Sequence, residues 1–147
     1  MSEVIRFAQE VQAFAAKQLY VEEVPDFTDI EEWNQAQLHL VRALAELERL
    51  NGCTPEEEGE LALAILMGYS VAIRNASNVQ LALERAKQVM PRLPNEVLKC
   101  KLAVFCYVEI PAEGLAELIN TLLVEVKRQG KEEEIRQAEK QFLLLAS

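Results

Sequence analysis

Apolar residues recur at intervals of three and four along almost the whole chain, and no segment shows a sustained alternation with a period of two. The first pattern is typical of amphipathic helices, and the second is typical of half-buried strands. The 147 residues include only five glycines and five prolines, which leaves few turn residues for a sheet protein. The sequence therefore predicts an all-α fold.

Capping signals divide this pattern into separate helices. The clearest signal is Thr54, followed by Pro55 at the first helical position and Glu57 three residues after the cap, a capping box. Asn51-Gly52 is typical of the left-handed end of the preceding helix, and 75–78 is predicted to be a turn. Together these signals predict about seven helices. They begin near residues 2, 28, 54, 79, 95, 111 and 132.

The third helix is apolar on nearly every side from residue 61 to residue 73, which predicts a helix enclosed by others. A glycine inside it, Gly68, costs about 1 kcal/mol relative to alanine, so we expect a neighbouring helix to cross closely there. Residues 55–90 resemble residues 94–129 weakly, and each unit is predicted to be a helical hairpin. We therefore predict a single domain over 1–147, a bundle of antiparallel helical hairpins that weakly resembles tetratricopeptide repeats.

The negative charge is concentrated in the N-terminal half. Residues 1–73 contain 14 acidic and 4 basic side chains, whereas residues 74–101 contain 2 acidic and 6 basic ones. An acidic protein is a poor general binder of nucleic acid, but it is a plausible partner for a basic protein. We therefore expect a protein partner and no direct binding of nucleic acid. A small regulator that binds DNA through residues 74–101 is the alternative.

Signals for membranes and for disulfides are lacking. The N-terminus has no basic region followed by an unbroken apolar run, and the apolar run at 61–73 is shorter than the roughly 20 residues that span a bilayer. We expect a cytoplasmic protein. Three cysteines, Cys53, Cys100 and Cys106, do not suit a disulfide framework, so we expect free thiols.

The sequence offers little for catalysis. The single histidine, His39, lies in a predicted helix, where packing or a surface position explains it. No nucleophile motif, phosphate-binding glycine loop or metal-ligand spacing is present. We therefore expect no enzyme activity, no cofactor and no metal.

Five residues are candidates for binding a partner. Glu56, Glu57 and Glu58 place three carboxylates at the start of the third helix. Tyr20 and Phe27 flank an acidic connector, where an exposed aromatic side chain could anchor an interface. Packing of the connector against the bundle is the alternative for the two aromatic residues. Reversing the charge of the three glutamates is expected to weaken binding.

Several motifs stand in order along the middle of the chain: Gly52-Cys-Thr-Pro-Glu-Glu-Glu58, the helix from Leu61 to Tyr69, and Leu98-Lys-Cys-Lys-Leu102 leading to Cys106-Tyr-Val-Glu109 and Leu115-Ala116. In this order they resemble the UpxZ family. The resemblance covers about residues 52–118 and does not extend to the first fifty residues or to the last helix. It implies a small protein of bacterial capsular-polysaccharide loci that antagonises UpxY proteins, which are NusG-like antiterminators acting on capsule operons. A helical-hairpin adaptor or chaperone with no role in transcription is the alternative.

Overall fold

The computed structural model describes residues 2–19, 30–72 and 76–146. Within these ranges the chain forms seven α-helices and one short 3-10 turn, Met90–Arg92, and no strand. The all-α prediction is confirmed. The helices are α1 (Glu3–Leu19), α2 (Ile30–Arg49), α3 (Pro55–Val71), α4 (Ala76–Val89), α5 (Glu96–Glu109), α6 (Glu113–Arg128) and α7 (Glu132–Ala146).

Helix α3 is the centre of the bundle. It packs against α1, α2, α4 and α5, and every residue from Gly59 to Tyr69 is buried. A Cβ atom added to Gly68 would lie 2.6 Å from Cδ2 of Leu44 on α2, so only glycine leaves room for this side chain. The enclosed helix and its close crossing, both predicted from the sequence, are confirmed.

Hairpins surround this central helix. Helix α4 folds back along α3, α6 folds back along α5, and α7 packs on α5 beside α6. The two predicted hairpin units, 55–90 and 94–129, thus correspond to the pairs α3–α4 and α5–α6. Their inward residues, such as Ala86 on α4 and Ile119 on α6, belong to one continuous hydrophobic core.

Two helix starts differ from the sequence prediction. Helix α4 begins at Ala76, so the part of the predicted turn that the structure describes, 76–78, is helical. Asn78 in this first turn donates a hydrogen bond to the hydroxyl of Tyr69 on α3. Helix α6 begins at Glu113 rather than at Pro111. Because proline disfavours helical geometry in the preceding residue, Pro111 ends α5 instead.

One predicted core residue is wrong. The spacing of Ile135, Ala138, Phe142 and Leu145 in the sequence predicts one apolar stripe along α7, yet Leu145 is 49% exposed, whereas the other three are buried. All residues from 143 to 146 are exposed, so the last turn of α7 has no core beside it. The apolar residues keep their helical spacing in this turn, but no other described helix packs against it.

The cysteines are free, as predicted. Cys100 and Cys106 are buried on α5, and Cys53 is exposed. Burial raises the pKa of the Cys100 and Cys106 thiols to about 11. A thiol with such a pKa holds little reactive thiolate near neutral pH, so both residues act as small apolar side chains.

A single tyrosine hydroxyl connects three helices. Tyr69 on α3 donates to Oε1 of Glu48 on α2 at 2.9 Å and accepts from Nδ2 of Asn78 on α4 at 3.0 Å. Burial, followed by the hydrogen bond to Glu48, raises the pKa of Tyr69 to about 12, although the bond from Asn78 acts in the opposite direction. The hydroxyl is therefore a neutral hydrogen-bonded junction between α2 and α4.

We expect Tyr69→Phe to lower the free energy of unfolding by about 1 kcal/mol, because it removes a donor and an acceptor from a largely buried network. Urea denaturation followed by circular dichroism measures this change. Tyr107→Phe on α5 is the matched control and should stay within about 0.5 kcal/mol of the wild type. Equal effects of the two substitutions would contradict a connecting role for the Tyr69 hydroxyl.

Candidate protein-interaction surface

The start of α3 is held by its own side chains. Thr54 has extended backbone geometry, and its Oγ1 accepts a hydrogen bond from the Glu57 amide at 3.1 Å. Oε1 of Glu57 accepts from the Cys53 amide at 2.8 Å, one residue before the cap. Hydrogen bonds from the Ser2 hydroxyl and from the Cys53 amide lower the pKa of the Glu57 carboxyl. The predicted cap is confirmed, and Glu57 is part of it.

Glu58 is committed to an internal ion pair. Its Oε1 accepts from the Gly52 amide at 2.6 Å and from Nη2 of Arg85 on α4 at 2.9 Å. The same Nη2 donates to the carbonyl oxygen of Leu50 at 3.0 Å. Partial burial raises the pKa of the Glu58 carboxyl, but the bonds from Arg85 and Gly52 outweigh it, and the net pKa is lowered. Glu58 thus fastens the loop between α2 and α3 to α4.

The backbone approaches very closely at this loop. A Cβ atom on Gly52 would lie 2.5 Å from the backbone nitrogen of Glu58, which is fixed in the first turn of α3. The glycine therefore allows its own amide to reach the Glu58 carboxylate. Gly52, predicted to end α2, instead closes the junction between α2 and α3.

Of the three predicted glutamates, Glu56 is the one that points into solvent. The triplet is therefore not a uniform acidic site, because two of its members hold the fold together. Tyr20 and Phe27, the other two predicted site residues, lie outside the described residues, and they stay predictions.

A second group of carboxylates lies beside this helix start. A cleft of about 370 Å³ between α1 and α2 has an apolar floor of Val4, Phe7 and Leu50. Its rim carries the exposed Glu3, Glu10 and Glu46, together with a single cation, Arg6.

This cleft lies next to the start of α3. Leu50 leads directly into the 51–54 loop, and the Ser2 hydroxyl just before α1 is near enough to the Glu57 carboxyl to lower its pKa. We call Glu3, Glu10, Glu46 and Glu56 the acidic surface. Glu3, Glu10 and Glu46 are isolated outward positions on two helices and belong to no sequence motif, so the net charge of residues 1–73 is the one sequence signal that points to them.

The basic segment does not form one face. Arg85 is held by Glu58, whereas Lys101 lines a different cleft of about 460 Å³ between α1 and α7. Lys87 and Arg92 are exposed on and after α4, and Arg74 lies outside the described residues. The described cations are thus divided among several surfaces, which does not favour a stripe that follows a phosphate backbone.

The part of the chain that the structure describes bears on two expectations, one about metal sites and one about the position of His39. No group of three His, Cys, Asp or Glu residues there could hold a metal ion. His39 is exposed on α2, with its ring centroid 4.7 Å from that of Phe14 on α1, in agreement with the predicted surface position. None of the described helices combines the length and apolar character needed to cross a membrane.

Comparison with known proteins identifies the family. A family model described as the UpxZ family of transcription anti-terminator antagonists matches residues 8–108. The chain belongs to the UpxZ family. The match begins within α1 and includes α2, so the family relation extends into the first fifty residues, which the sequence resemblance did not cover. These two helices are amphipathic and carry no local motif of their own. No curated protein sequence matches the chain.

A solved structure of this UpxZ family supports the fold over nearly the whole chain. The crystal structure of the transcription anti-terminator antagonist UpxZ from Bacteroides uniformis ATCC 8492, at 1.68 Å resolution, is similar with a TM-score of 0.72 and 25% sequence identity. The alignment covers 95% of this chain and 94% of that one. The all-helical architecture is therefore that of the family, whose role is regulatory antagonism of transcription anti-terminators.

The different contributions of Glu56 and Glu58 to stability can be tested. Glu58→Ala should lower the free energy of unfolding by about 1–3 kcal/mol, because it leaves Arg85 and the Gly52 amide without their charged acceptor. Glu56→Ala, the matched control, should change it by less than about 0.5 kcal/mol. Thermal and urea denaturation measure both. A Glu58→Ala protein as stable as the control would show that the ion pair does not fasten the loop.

Proposed function

We propose that this UpxZ-family protein binds and inhibits a NusG-like antiterminator of the UpxY type, which controls capsular-polysaccharide operons. Inhibition is stoichiometric: the protein occupies the antiterminator rather than modifying it chemically. The observation that carries the proposal is membership in a family of anti-terminator antagonists, combined with the acidic surface on the α1–α2 side of the bundle.

Electrostatic complementarity supports this partner. A NusG-like factor needs basic surface to approach RNA polymerase and nucleic acid, and a rim of three glutamates and one arginine is suited to cover such a surface. Exposed ion pairs contribute little to the free energy of binding, whereas buried apolar or aromatic side chains contribute most of it. The apolar floor of the cleft can bury such a side chain of the partner. The partner element that fits is an apolar side chain flanked by lysine or arginine.

The roles of the candidate residues follow from their environments. Glu56 is available to the partner, together with Glu3, Glu10 and Glu46. Glu57 and Glu58 do not contact the partner. They hold the start of α3 in place, because Glu57 is part of its cap and Glu58 fastens the preceding loop to α4. Tyr20 and Phe27 remain proposed contacts on the connector between α1 and α2.

The alternative, an adaptor or chaperone with no role in transcription, does not agree with membership in a family of transcription regulators. A DNA-binding role for residues 74–101 is also less well supported, because the ion pair with Glu58 already uses Arg85. Both alternatives predict that the acidic surface has no effect on an antiterminator.

The test is titration of the protein into purified NusG-like antiterminators by calorimetry at two salt concentrations. Glu10→Lys, Glu46→Lys and Glu56→Lys should each weaken binding roughly twofold to fivefold, and they should reduce its salt dependence. Glu117→Lys on the exposed side of α6 is the matched control and should bind as the wild type does. Glu57 and Glu58 are left unchanged, so that a loss of binding does not reflect a loss of the helix start.

The possible results separate the parts of the proposal. If no antiterminator binds, the proposed partner is wrong. If one binds with an affinity that neither salt nor the three reversals change, the partner stands but the acidic surface does not contact it. If the control variant loses affinity to the same extent, the effect is one of overall charge.

A further inference from the structure

Helix α2 has a second apolar stripe that the bundle does not use. Its core side carries Gln37, Leu40, Leu44 and Leu47, all buried against α3. Leu38, Val41 and Ala45 follow the same spacing of three and four, but they lie about 110° further around the helix. Leu38 and Val41 are each 44% exposed, and Ala45 is also exposed. We call these three residues the outer stripe.

The outer stripe faces the side of α2 that is directed toward α4. On the opposite side, His39 touches Phe14 of α1, and Glu46 lines the acidic cleft. Glu48, which reaches Tyr69 in the direction of α4, lies on the same side as the stripe. The stripe is therefore separated from the acidic surface by the body of α2.

A depression of about 560 Å³ lies over α3, between the C-terminal end of α2 and α4. Glu48 lines it from α2, Ile65 from α3 and Leu81, which is 57% exposed, from α4. Leu38, Val41 and Ala45 are not among its lining residues, so the outer stripe is an exposed apolar face of α2 itself. Contiguous apolar residues on an exposed helix face mark a candidate interaction surface.

The charges on α2 indicate what fits the outer stripe. Glu31 and Arg49 are 18 residues apart, which is five full helical turns, so they lie on one line along the edge of the outer stripe. Both are exposed, and neither forms an ion pair with another residue in the described ranges. Their midpoint is residue 40, and Leu38 and Val41 lie on either side of it.

We propose that the outer stripe binds a second copy of this chain, with the two α2 helices antiparallel across a two-fold axis near residue 40. In this arrangement Glu31 of each copy meets Arg49 of the other, and Leu38 of one copy packs against Val41 of the other. A parallel pair would place like charges opposite each other at both ends. A two-fold interface must be self-complementary, and this stripe meets that condition only in the antiparallel sense.

The available surface is compatible with a dimer. The 20 residues of α2 extend for about 30 Å, so two antiparallel copies can touch along most of this length. A stable interface buries roughly 800 Å² on each partner, and the exposed residues along this length of α2 contribute to that area. Since the acidic surface lies on the other side of α2, the dimer carries two acidic surfaces, both open to a partner.

The first experiment measures mass against concentration by sedimentation velocity and light scattering, from micromolar to submillimolar protein. The wild type should change from the 16.6 kDa monomer to a species of twice that mass. Leu38→Glu and Val41→Glu should weaken the dimer about tenfold or more, because each places two carboxylates in the apolar contact. Val124→Glu, on the exposed face of α6, is the matched control and should dimerise as the wild type does.

A charge exchange tests the antiparallel orientation. Glu31→Arg alone and Arg49→Glu alone should each weaken the dimer, and the double variant should restore it to near the wild-type affinity. Restoration is not expected from a merely structural effect of either side chain. A double variant weaker than both single variants would overturn the antiparallel arrangement.

Two other results would overturn the proposal. One is a wild-type protein that stays monomeric throughout the concentration range. The other is a dimer that Val41→Glu does not affect. If the monomeric protein binds an antiterminator and Val41→Glu abolishes that binding, the outer stripe is the site of the antiterminator instead. A failure of the dimer leaves the acidic surface and the proposed function untouched.

Discussion

The removal of α3 from water is the constraint on which the rest of this structure depends. Eleven consecutive residues, Gly59–Tyr69, are buried, so neighbours must cover this helix on every side. Helices α1, α2, α4 and α5 provide that cover, and their core-facing stripes are fixed as a result. Even the one buried carboxylate of α3, on Glu60, is satisfied from α1, since Gln12 donates to it at 2.9 Å. What remains for function is the outward surface of the covering helices.

The same constraint explains the chemistry at the start of α3. A helix inside a bundle still has amide groups at its first turn that need acceptors, and Thr54 accepts from the Glu57 amide there. The Glu57 carboxylate in turn accepts from the Cys53 amide, just before the cap. Glu58 adds a tie across the bundle, because Arg85 lies on α4 and also binds the carbonyl of Leu50. The three glutamates look like one binding motif in the sequence. In the structure, Glu57 and Glu58 stabilise the fold, and Glu56 is exposed to solvent.

The sequence predicted what depends on local pattern. The cap at Thr54, the enclosure of α3 and the close approach at Gly68 each follow from a few neighbouring residues, and all are confirmed. Contacts between distant parts of the chain could not be predicted from the sequence. The ion pair between Glu58 and Arg85 joins residues 27 positions apart, and the acidic cleft joins α1 to α2. No spacing in a single sequence encodes such pairs. The prediction that Leu145 is buried failed for a related reason. Periodicity shows which way a side chain points, but it does not show whether another helix packs against it.

The separation of Glu57 and Glu58 from the exposed glutamates has a consequence for how such a protein changes over generations. Substitutions at exposed positions usually alter stability by less than about 0.5 kcal/mol, whereas those that break a partly buried charged network cost several times more. Glu3, Glu10, Glu46 and Glu56 can therefore be exchanged at little cost to the fold. A bundle built in this way can diverge in its choice of partner while its interior stays under strong purifying selection, so a duplicated copy could acquire a new target through a few surface replacements.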